Sequence, residues 1–103
     1  MYLLESSTSS SAAAAAAIFT GDSLFLGGCG RFFEGNAHHL RITAARMRSL
    51  PSTVLMWPGH EYAVGNLSFA VTIEPNNAAV VSKLAWARER RKYDFTTFYF
   101  YFI

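Results

Sequence analysis

Two short apolar runs in the chain each end in a turn, which is the pattern of a buried strand that leads into a loop. The first run covers residues 16–20 and stops at a Gly-Asp turn. The second covers residues 53–57 and stops at a Pro-Gly turn, with a histidine next in the chain. The pattern predicts two buried strands, and the end of each carries a side chain that can bind a metal ion. These side chains are Asp22 and His60.

Between the two runs, apolar positions spaced three or four residues apart predict a helix. It begins after Asn36, a residue type favoured at helix N-caps, and it reaches about Leu50, where Pro51 stops it. The apolar stripe of this helix consists of Leu40, Ala44, Met47 and Leu50.

Two further helices are expected in the second half of the chain. A short one spans residues 61–70, although Gly65 weakens it. A longer one is capped by Asn76 or Asn77 and runs to about Lys92. Its apolar face is expected to consist of Val81, Leu84 and Ala85.

The two ends of the chain have unusual compositions. Residues 6–17 are all serine, threonine or alanine, whose short side chains bury too little apolar area to offset the entropy of ordering. We therefore expect residues 1–17 to form a low-complexity leader, except that its last alanines extend the first strand. Residues 93–103 form an aromatic tail with strong strand propensity.

Composition and charge exclude several classes of protein. With 103 residues and a mass of 11.4 kDa, the chain has room for one domain at most. No stretch approaches the ~18 uncharged apolar residues of a membrane-spanning helix. Its one cysteine, Cys29, cannot form an internal disulfide. The net charge is +2, and the densest basic run, residues 88–92, ends a predicted helix, where the helix dipole favours cations. We therefore predict no nucleic-acid partner.

The two strand ends suit metal binding, since a carboxylate can bridge two cations and an imidazole suits zinc or iron. One aspartate and one histidine are weak evidence when taken alone. More often, an aspartate after glycine is a turn residue. A single histidine more often lies at the surface, or in the core with its ring nitrogens hydrogen-bonded. The residues around Asp22 and His60 therefore decide between these interpretations.

Two ordered blocks around these residues carry a resemblance to a known family. The first block is residues 18–35, and it reads IFTGDSLFLGGCGRFFEG. The second begins with PGHEY at residues 58–62 and continues to KLAWA at residues 83–87. Over residues 18–92 the sequence resembles the glyoxalase II, or hydroxyacylglutathione hydrolase, family of the metallo-β-lactamase superfamily. The Trp-Pro pair before Gly59 is also similar to the dyskinesia-associated relatives, so the branch within the superfamily stays open.

The resemblance implies a role for five residues. Asp22 matches the aspartate that bridges the two metals of the family, and His60 matches the terminal histidine of the second metal. Arg31 stands where the family often has lysine, and Tyr62 matches a tyrosine. Both of these family positions contact the glutathione part of the substrate. Phe33 occupies a position that is commonly tyrosine, so a hydroxyl donor is missing there.

Two other candidates are rejected. His38 and His39 are adjacent in a predicted helix, so their side chains point about 100° apart and do not converge on one ion. We expect a solvated helix start at this position. Cys29 lies in the Gly-Cys-Gly loop of the family, where packing and turn geometry explain it, and no orienting histidine or aspartate pair is evident beside it.

The resemblance implies an α+β fold. This fold comprises the C-terminal half of the metallo-β-lactamase αββα sandwich and the first helix of the glyoxalase II C-terminal helical region. We expect the sandwich half over residues 18–70, the start of the helical region over residues 71–92, and a divergent tail without family counterpart over residues 93–103. The family's His-x-His-x-Asp-His motif, which supplies most metal ligands, does not occur in the sequence. We therefore expect a truncated chain that holds only the second half of the enzyme.

The function implied by the resemblance is hydrolysis of a glutathione thioester, S-lactoylglutathione, to lactate and glutathione in methylglyoxal detoxification. The implied cofactor is a binuclear zinc or Zn/Fe centre. Since a catalytic zinc usually has at least three protein ligands, we expect this chain alone to hold no such centre and to have little or no activity. The alternative is a non-catalytic fragment that associates with or regulates a full-length relative. The implied location is the cytoplasm, with mitochondria as the alternative.

Overall fold

The computed structural model describes residues 1–5 and 16–97. Within these ranges the chain forms three strands and three helices, which confirms the α+β class, while the αββα sandwich stays a prediction. No helix in the two described ranges is long and apolar enough to cross a membrane. In chain order the elements are β1 (Tyr2–Glu5), β2 (Ala16–Gly21), α1 (Ala37–Arg48), β3 (Leu55–Pro58), α2 (Ala63–Ile73) and α3 (Ala78–Lys92).

The three strands form one sheet in the order β1-β2-β3. β1 runs antiparallel to β2, and β2 runs parallel to β3. Parallel neighbours need a crossover connection, which α1 provides between β2 and β3. Because the carboxyl ends of parallel strands lie at the same edge of a sheet, the loops that follow Gly21 and Pro58 leave the sheet side by side.

One face of the sheet carries the first part of the core. Ile18 of β2 and Met56 of β3 are register partners, and they pack with Val54 and with Met47 of α1 in a buried cluster. Burying an apolar side chain of this size stabilises the fold by about 1.5–3 kcal/mol relative to leaving it exposed. This cluster therefore fixes α1 against the sheet and holds β2 and β3 together.

The second part of the core joins α2 to α3. Ala63 and Leu67 of α2 pack with Leu84 and Ala87 of α3, and all four are buried. Leu26, in the loop after β2, packs against this cluster and also against the sheet cluster. The loop after β2 is therefore the place where the two parts of the core meet.

Helix α1 begins as predicted, but its inner face differs from the predicted stripe. The Asn36 side chain accepts a hydrogen bond from the backbone N–H of His38 at 3.0 Å, and Nδ1 of His39 accepts one from the Asn36 N–H at 3.2 Å. His39 thus helps to cap the helix. Ala44 is exposed, and Thr43 takes the half-buried position instead. The other three predicted positions are confirmed, since Met47 is buried and Leu40 and Leu50 are half-buried. Because residues three and four apart share a helix face, the spacing is compatible with either Thr43 or Ala44 at the remaining position.

Helix α3 is capped by Asn77, whose side chain accepts from the backbone N–H groups of Ala79 and Val80. The predicted face is wrong at two of its three positions, since Val81 and Ala85 are exposed. Contact with α2 selects a different line of residues on the same helix, again spaced three and four apart so that they share one face. This line consists of Val80, Leu84 and Ala87.

The strand β1 lies inside the predicted low-complexity leader and was not expected. Its residues pair with the start of β2, from Tyr2 opposite Phe19 to Glu5 opposite Ala16. Strand β2 does begin at Ala16, which confirms that the last alanines extend it. Residues 6–15 of the leader and residues 98–103 of the aromatic tail lie outside the described residues. Residues 95–97 of the tail are not part of a strand.

Candidate functional site

The structure brings the two predicted metal ligands together at the edge of the sheet. Asp22 follows β2 and His60 follows β3, and Nε2 of His60 lies 3.1 Å from Oδ1 of Asp22. The backbone N–H of Gly59 donates to the carbonyl of Gly21 at 2.8 Å, which continues the pairing of the two strands beyond the sheet. The His60 and Asp22 side chains are 52% and 71% exposed, so the pair is open to a ligand from solvent.

A buried threonine sets the direction of the chain that leads to Asp22. Thr20 is 1% exposed, and its hydroxyl donates to the carbonyl of Leu24 at 2.7 Å. The backbone N–H of Ser23 donates a hydrogen bond to the carbonyl of Thr20 at 3.0 Å. Gly21 has a φ of +53°, a conformation that favours glycine. These bonds turn the chain sharply after β2 and place Asp22 at the tip of the turn.

Two glycines allow the backbone to pack closely around Asp22. A Cβ atom at Gly30 would overlap the Asp22 carbonyl oxygen, and one at Gly59 would lie 2.9 Å from its Oδ1. Only hydrogen atoms fit at these two places. The Gly-Cys-Gly loop therefore packs against the backbone of Asp22, and the turn before His60 packs against its carboxylate, while most of the side chain stays exposed.

An aromatic group supports His60. The imidazole stacks on the Tyr62 ring, with centroids 5.2 Å apart and an angle of 15° between the planes. Phe25 is buried and meets the Tyr62 ring edge-on, with centroids 5.0 Å apart. Tyr62 is 51% exposed, so it remains accessible beside the Asp22–His60 pair. The predicted substrate-binding residue Tyr62 is therefore at the site.

Arg31 and Phe33, the other two predicted substrate-binding residues, form a separate pair. The Arg31 guanidinium lies over the Phe33 ring, 5.6 Å from its centroid, and Phe33 is 89% exposed. The ring contacts, hydrogen bonds and ion pairs of the described residues do not join these two side chains to Asp22, His60 or Tyr62. The structure therefore brings Tyr62, but not Arg31 or Phe33, into contact with the Asp22–His60 pair.

Two polar contacts near the site were missed by the sequence analysis. The Asn66 side chain on α2 donates to the carbonyl of Leu26 at 3.2 Å. The Glu61 carboxylate, next to His60, accepts from both the backbone N–H and the hydroxyl of Thr97, which is 2% exposed. Both contacts join residues at least 36 positions apart in the chain. The one available signal was that Asn66 and Glu61 lie inside the second block of the resemblance.

The donor atoms of the Asp22–His60 pair suit zinc, but their number does not. Carboxylate oxygen and imidazole nitrogen are both zinc ligands, whereas a catalytic zinc usually has three protein ligands. Among the residues that the structure describes, no group of three or more histidine, cysteine, aspartate or glutamate side chains is placed to hold a metal ion. The described part of the chain therefore presents two metal ligands rather than a complete zinc site.

A protein-family model matches the part of the chain that follows His60. The chain matches the model of the family described as "Hydroxyacylglutathione hydrolase C-terminus" over residues 61–102. The match begins directly after His60 and includes α2 and α3. It also extends beyond Lys92 into the aromatic tail, which we expected to lie outside the resemblance.

Three relatives match a larger share of the chain than the family model does. The chain is 49% identical over 82 residues to "Hydroxyacylglutathione hydrolase cytoplasmic" of Arabidopsis thaliana, which covers 79% of this chain and 32% of the relative. It is 49% identical over 67 residues to "Hydroxyacylglutathione hydrolase" of Gloeobacter violaceus (65% of this chain, 27% of the relative). It is 46% identical over 82 residues to "Hydroxyacylglutathione hydrolase-like protein" of Gallus gallus (79% and 29%). The chain thus spans about a third of the length of these curated relatives, and it belongs to the hydroxyacylglutathione hydrolase, or glyoxalase II, family.

Proposed function

We propose that this chain supplies part of the active site of a hydrolase that cleaves S-acylglutathione thioesters such as S-lactoylglutathione. The observation that carries the proposal is the Asp22–His60 pair, formed at adjacent strand ends inside a sequence 49% identical to a hydroxyacylglutathione hydrolase. In the reaction, water adds its oxygen to the thioester carbonyl carbon and the C–S bond breaks. The products are the free acid, here lactate, and glutathione. The sulfur of glutathione takes up one proton of the water and becomes a thiol. This reaction is the hydrolytic step of methylglyoxal detoxification.

The five predicted site residues divide this task between metal binding and substrate binding. Asp22 and His60 are proposed as zinc ligands. Tyr62 and Arg31 are proposed to bind the glutathione part of the substrate, because a phenol donates one hydrogen bond and a guanidinium can hold a carboxylate with two. Phe33 lacks the hydroxyl of the tyrosine expected there, so it offers the substrate only an apolar ring.

This polypeptide alone is expected to be inactive, because two ligands do not hold a catalytic zinc. A binuclear zinc centre, or its Zn/Fe form, needs further ligands that a longer family member supplies. The name of the Arabidopsis relative supports a cytoplasmic location, with mitochondria as the alternative.

Complementation tests the proposal. The purified chain is mixed with a second polypeptide that carries the part of the Arabidopsis relative outside the matched stretch, and zinc is added. Thiol release from S-lactoylglutathione and zinc bound per complex are then measured. We expect neither turnover nor stoichiometric zinc with the chain alone, and both with the mixture. Asp22→Asn and His60→Gln are expected to abolish turnover in the mixture.

Two exposed residues of the same types serve as matched controls. Asp94→Asn and His38→Gln make the same changes away from the site and are expected to leave turnover unchanged. A mixture that forms a complex but releases no thiol would contradict the proposed hydrolase function. Turnover by the chain alone that disappears in Asp22→Asn would contradict its inactivity in isolation.

A second candidate function is supported by the outer face of the sheet. Phe19 and Trp57 stack there with ring centroids 5.9 Å apart, opposite to the face that α1 covers. The register of β1 adds Tyr2 and Leu4 to the same face, and these are 78% and 59% exposed. An apolar patch of this kind favours association. The candidate is therefore a non-catalytic chain that binds a full-length relative through this sheet face.

Binding to the intact Arabidopsis relative tests this second function. Phe19→Ser is expected to weaken binding by about tenfold or more. It removes an aromatic ring that is exposed in the free chain and would be buried against the partner, a contact worth about 2 kcal/mol. Phe69→Ser on α2 is the matched control, because Phe69 is 67% exposed and lies away from the sheet. Equal effects of the two substitutions, or no measurable binding of the unchanged chain, would contradict association through the sheet face.

A further inference from the structure

We infer that Asn66 is a positioning residue that sets the Asp22–His60 pair, and this inference rests on the proposed function. Asn66 touches neither of the two ligands. It lies on α2, the helix that follows His60, and its side chain contacts the loop that follows Asp22. It is thus a polar link between the helix that follows His60 and the loop that follows Asp22.

The first step of the argument is the contact between Asn66 and the loop. Its amide nitrogen donates to the carbonyl of Leu26 at 3.2 Å, and the side chain is half-buried. Leu26 packs against both buried clusters, so its backbone is held at the junction of the sheet and the helix pair. The hydrogen bond therefore fixes α2 to a loop residue that contacts both parts of the core.

The second step leads from this loop to Asp22. The backbones of Phe25 and Gly28 bond to each other at 2.9 and 3.3 Å, which closes a tight turn with Gly27 at a φ of +72°. A Cβ atom at Gly28 would lie 2.8 Å from the amide nitrogen of Asn66. Two residues later, Gly30 packs directly on the Asp22 carbonyl. A displacement of Asn66 is therefore transmitted through the turn to Asp22.

The third step leads from Asn66 to His60. The backbone N–H of Asn66 donates to the carbonyl of Tyr62 at 3.0 Å in the first turn of α2. Tyr62 in turn stacks on the His60 ring. Asn66 thus restrains both members of the pair, one through the Phe25–Gly28 turn and the other through the helix start.

Nuclear magnetic resonance of the full 103-residue chain tests the inference at one pH without any turnover. Asn66→Asp keeps the shape of the side chain but replaces the donor by an acceptor, which repels the Leu26 carbonyl. We expect shifted signals for the Asp22 carboxyl carbon and the His60 ring. We also expect the Gly59 amide to exchange about tenfold faster, since loss of the half-buried Asn66–Leu26 hydrogen bond makes local opening easier. Amide exchange within β2 and β3 is expected to stay unchanged.

A matched control and a double variant sharpen the test. Asn76→Asp makes the same change at an exposed asparagine between α2 and α3 and is expected to leave both site signals in place. Gly28→Ala is expected to shift the same signals as Asn66→Asp, because its methyl group displaces the Asn66 amide. In the Asn66→Ala background, Gly28→Ala is expected to add no further shift, since the displaced group is gone.

Each outcome decides the inference. Unchanged Asp22 and His60 signals in Asn66→Asp would overturn it, and so would unfolding of the whole chain, which would make Asn66 a general structural residue. Additive shifts in the Gly28→Ala and Asn66→Ala double variant would also overturn it. Because these signals need no substrate, the result is independent of thiol release in the complementation experiment. Shifted site signals together with an inactive complex would leave Asn66 as a positioning residue and remove the proposed hydrolase function.

Discussion

At the scale of single residues, the glycines near the site differ sharply in what a methyl group would meet. A Cβ atom at Gly30 would overlap the Asp22 carbonyl, whereas one at Gly65 in α2 has no atom within 4 Å. Backbone cannot move aside as a flexible side chain can, so the cost at Gly30 is expected to resemble that of overpacking a core. The same substitution should therefore have opposite effects at the two positions.

We expect Gly30→Ala to lower the free energy of unfolding by about 2 kcal/mol or more. Gly65→Ala is expected to raise it by about 0.5–1 kcal/mol, because alanine loses less backbone entropy than glycine in a helix. Urea denaturation followed by circular dichroism measures both. Equal unfolding midpoints for Gly30→Ala and the unchanged chain would contradict the close packing of the loop on Asp22.

Lys83 provides a pH-dependent test of burial. Its ammonium lies 4.8 Å from the centroid of the Trp86 ring, and partial burial lowers the pKa of Lys83. Folding therefore disfavours the charged form. Between the lowered pKa and the ordinary lysine value, the unfolded chain binds this proton more often than the folded chain does. The contribution of Lys83 to the free energy of unfolding is thus expected to rise with pH across that window.

The measurement compares the unchanged chain with Lys83→Met by urea denaturation from neutral pH to the ordinary pKa of lysine. Subtracting the variant removes the effect of the tyrosines, which titrate in the same range. We expect the difference in free energy of unfolding, unchanged chain minus variant, to increase with pH. A difference that is constant or falls with pH would show that burial does not govern the protonation of Lys83.

At the scale of elements, the segment after α3 is tied to the loop before α2. The Glu61 carboxylate accepts from the backbone N–H and the hydroxyl of Thr97, whose side chain is buried. The Arg90 side chain donates to the carbonyl of Thr96 at 3.0 Å, which holds the same segment along the end of α3. The tail thus begins as a folded segment that is attached beside His60.

Thr97→Val is expected to lower the free energy of unfolding by about 1.5–3 kcal/mol, because it removes a hydrogen bond to a charged group and leaves a carboxylate oxygen unpaired. Thr97→Ser keeps the hydroxyl and serves as the conservative control, with a smaller expected loss. Urea denaturation of both variants measures the difference. If Thr97→Val were as stable as Thr97→Ser, the hydroxyl contact with Glu61 would not stabilise the chain.

The elements that the sequence predicts well are those set by local chemistry. Asn36 and Asn77 cap helices because their side chains accept from backbone groups two or three residues away. The strand ends at Asp22 and His60 follow from apolar runs that stop at turns. By contrast, β1 depends on pairing with β2, which begins at the end of the alanine tract. Its four residues carry no periodic pattern long enough to predict a strand.

The candidate site shows the same division between local and distant contacts. Asp22, His60 and Tyr62 come together because each follows the end of one of two parallel strands. The sequence predicts the two strand ends, whereas their parallel pairing is seen only in the structure. The Asn66–Leu26 contact joins residues 40 positions apart. Nothing in the spacing of either segment identifies the partner of the Asn66 amide. Such a contact depends on how α2 packs on the loop and is therefore visible only in three dimensions.

At the scale of the whole molecule, the core formed by the described residues has two parts. The sheet cluster holds α1, and the helical cluster joins α2 to α3, while Leu26 packs against both. The site lies over the loop that carries Leu26, so the geometry of the ligand pair depends on the two parts staying docked. Their docking should also decide whether the molecule unfolds in one step or in two.

Leu26→Ala is expected to lower stability by about 2 kcal/mol, at the low end for truncating a leucine because the side chain is only half-buried. It should also separate the unfolding of the two parts. Two tryptophans report on them, since Trp57 is in β3 and Trp86 is in α3. Trp86→Phe leaves the sheet as the source of fluorescence, and Trp57→Phe leaves the helix pair. In the Leu26→Ala background we expect the two fluorescence transitions in urea to occur at different concentrations.

Leu50→Ala is the matched control, because Leu50 is also half-buried but packs against the sheet cluster only. Its loss should weaken that cluster without removing the side chain that joins the two, so both tryptophans should still report one transition. Coincident transitions in Leu26→Ala would mean that the backbone contacts of the loop, including the Asn66 bond to Leu26, are sufficient to couple the sheet to the helices. Separate transitions would show that the Leu26 side chain couples the two parts of the core. The same residue then holds both the core and the loop that follows Asp22 in place.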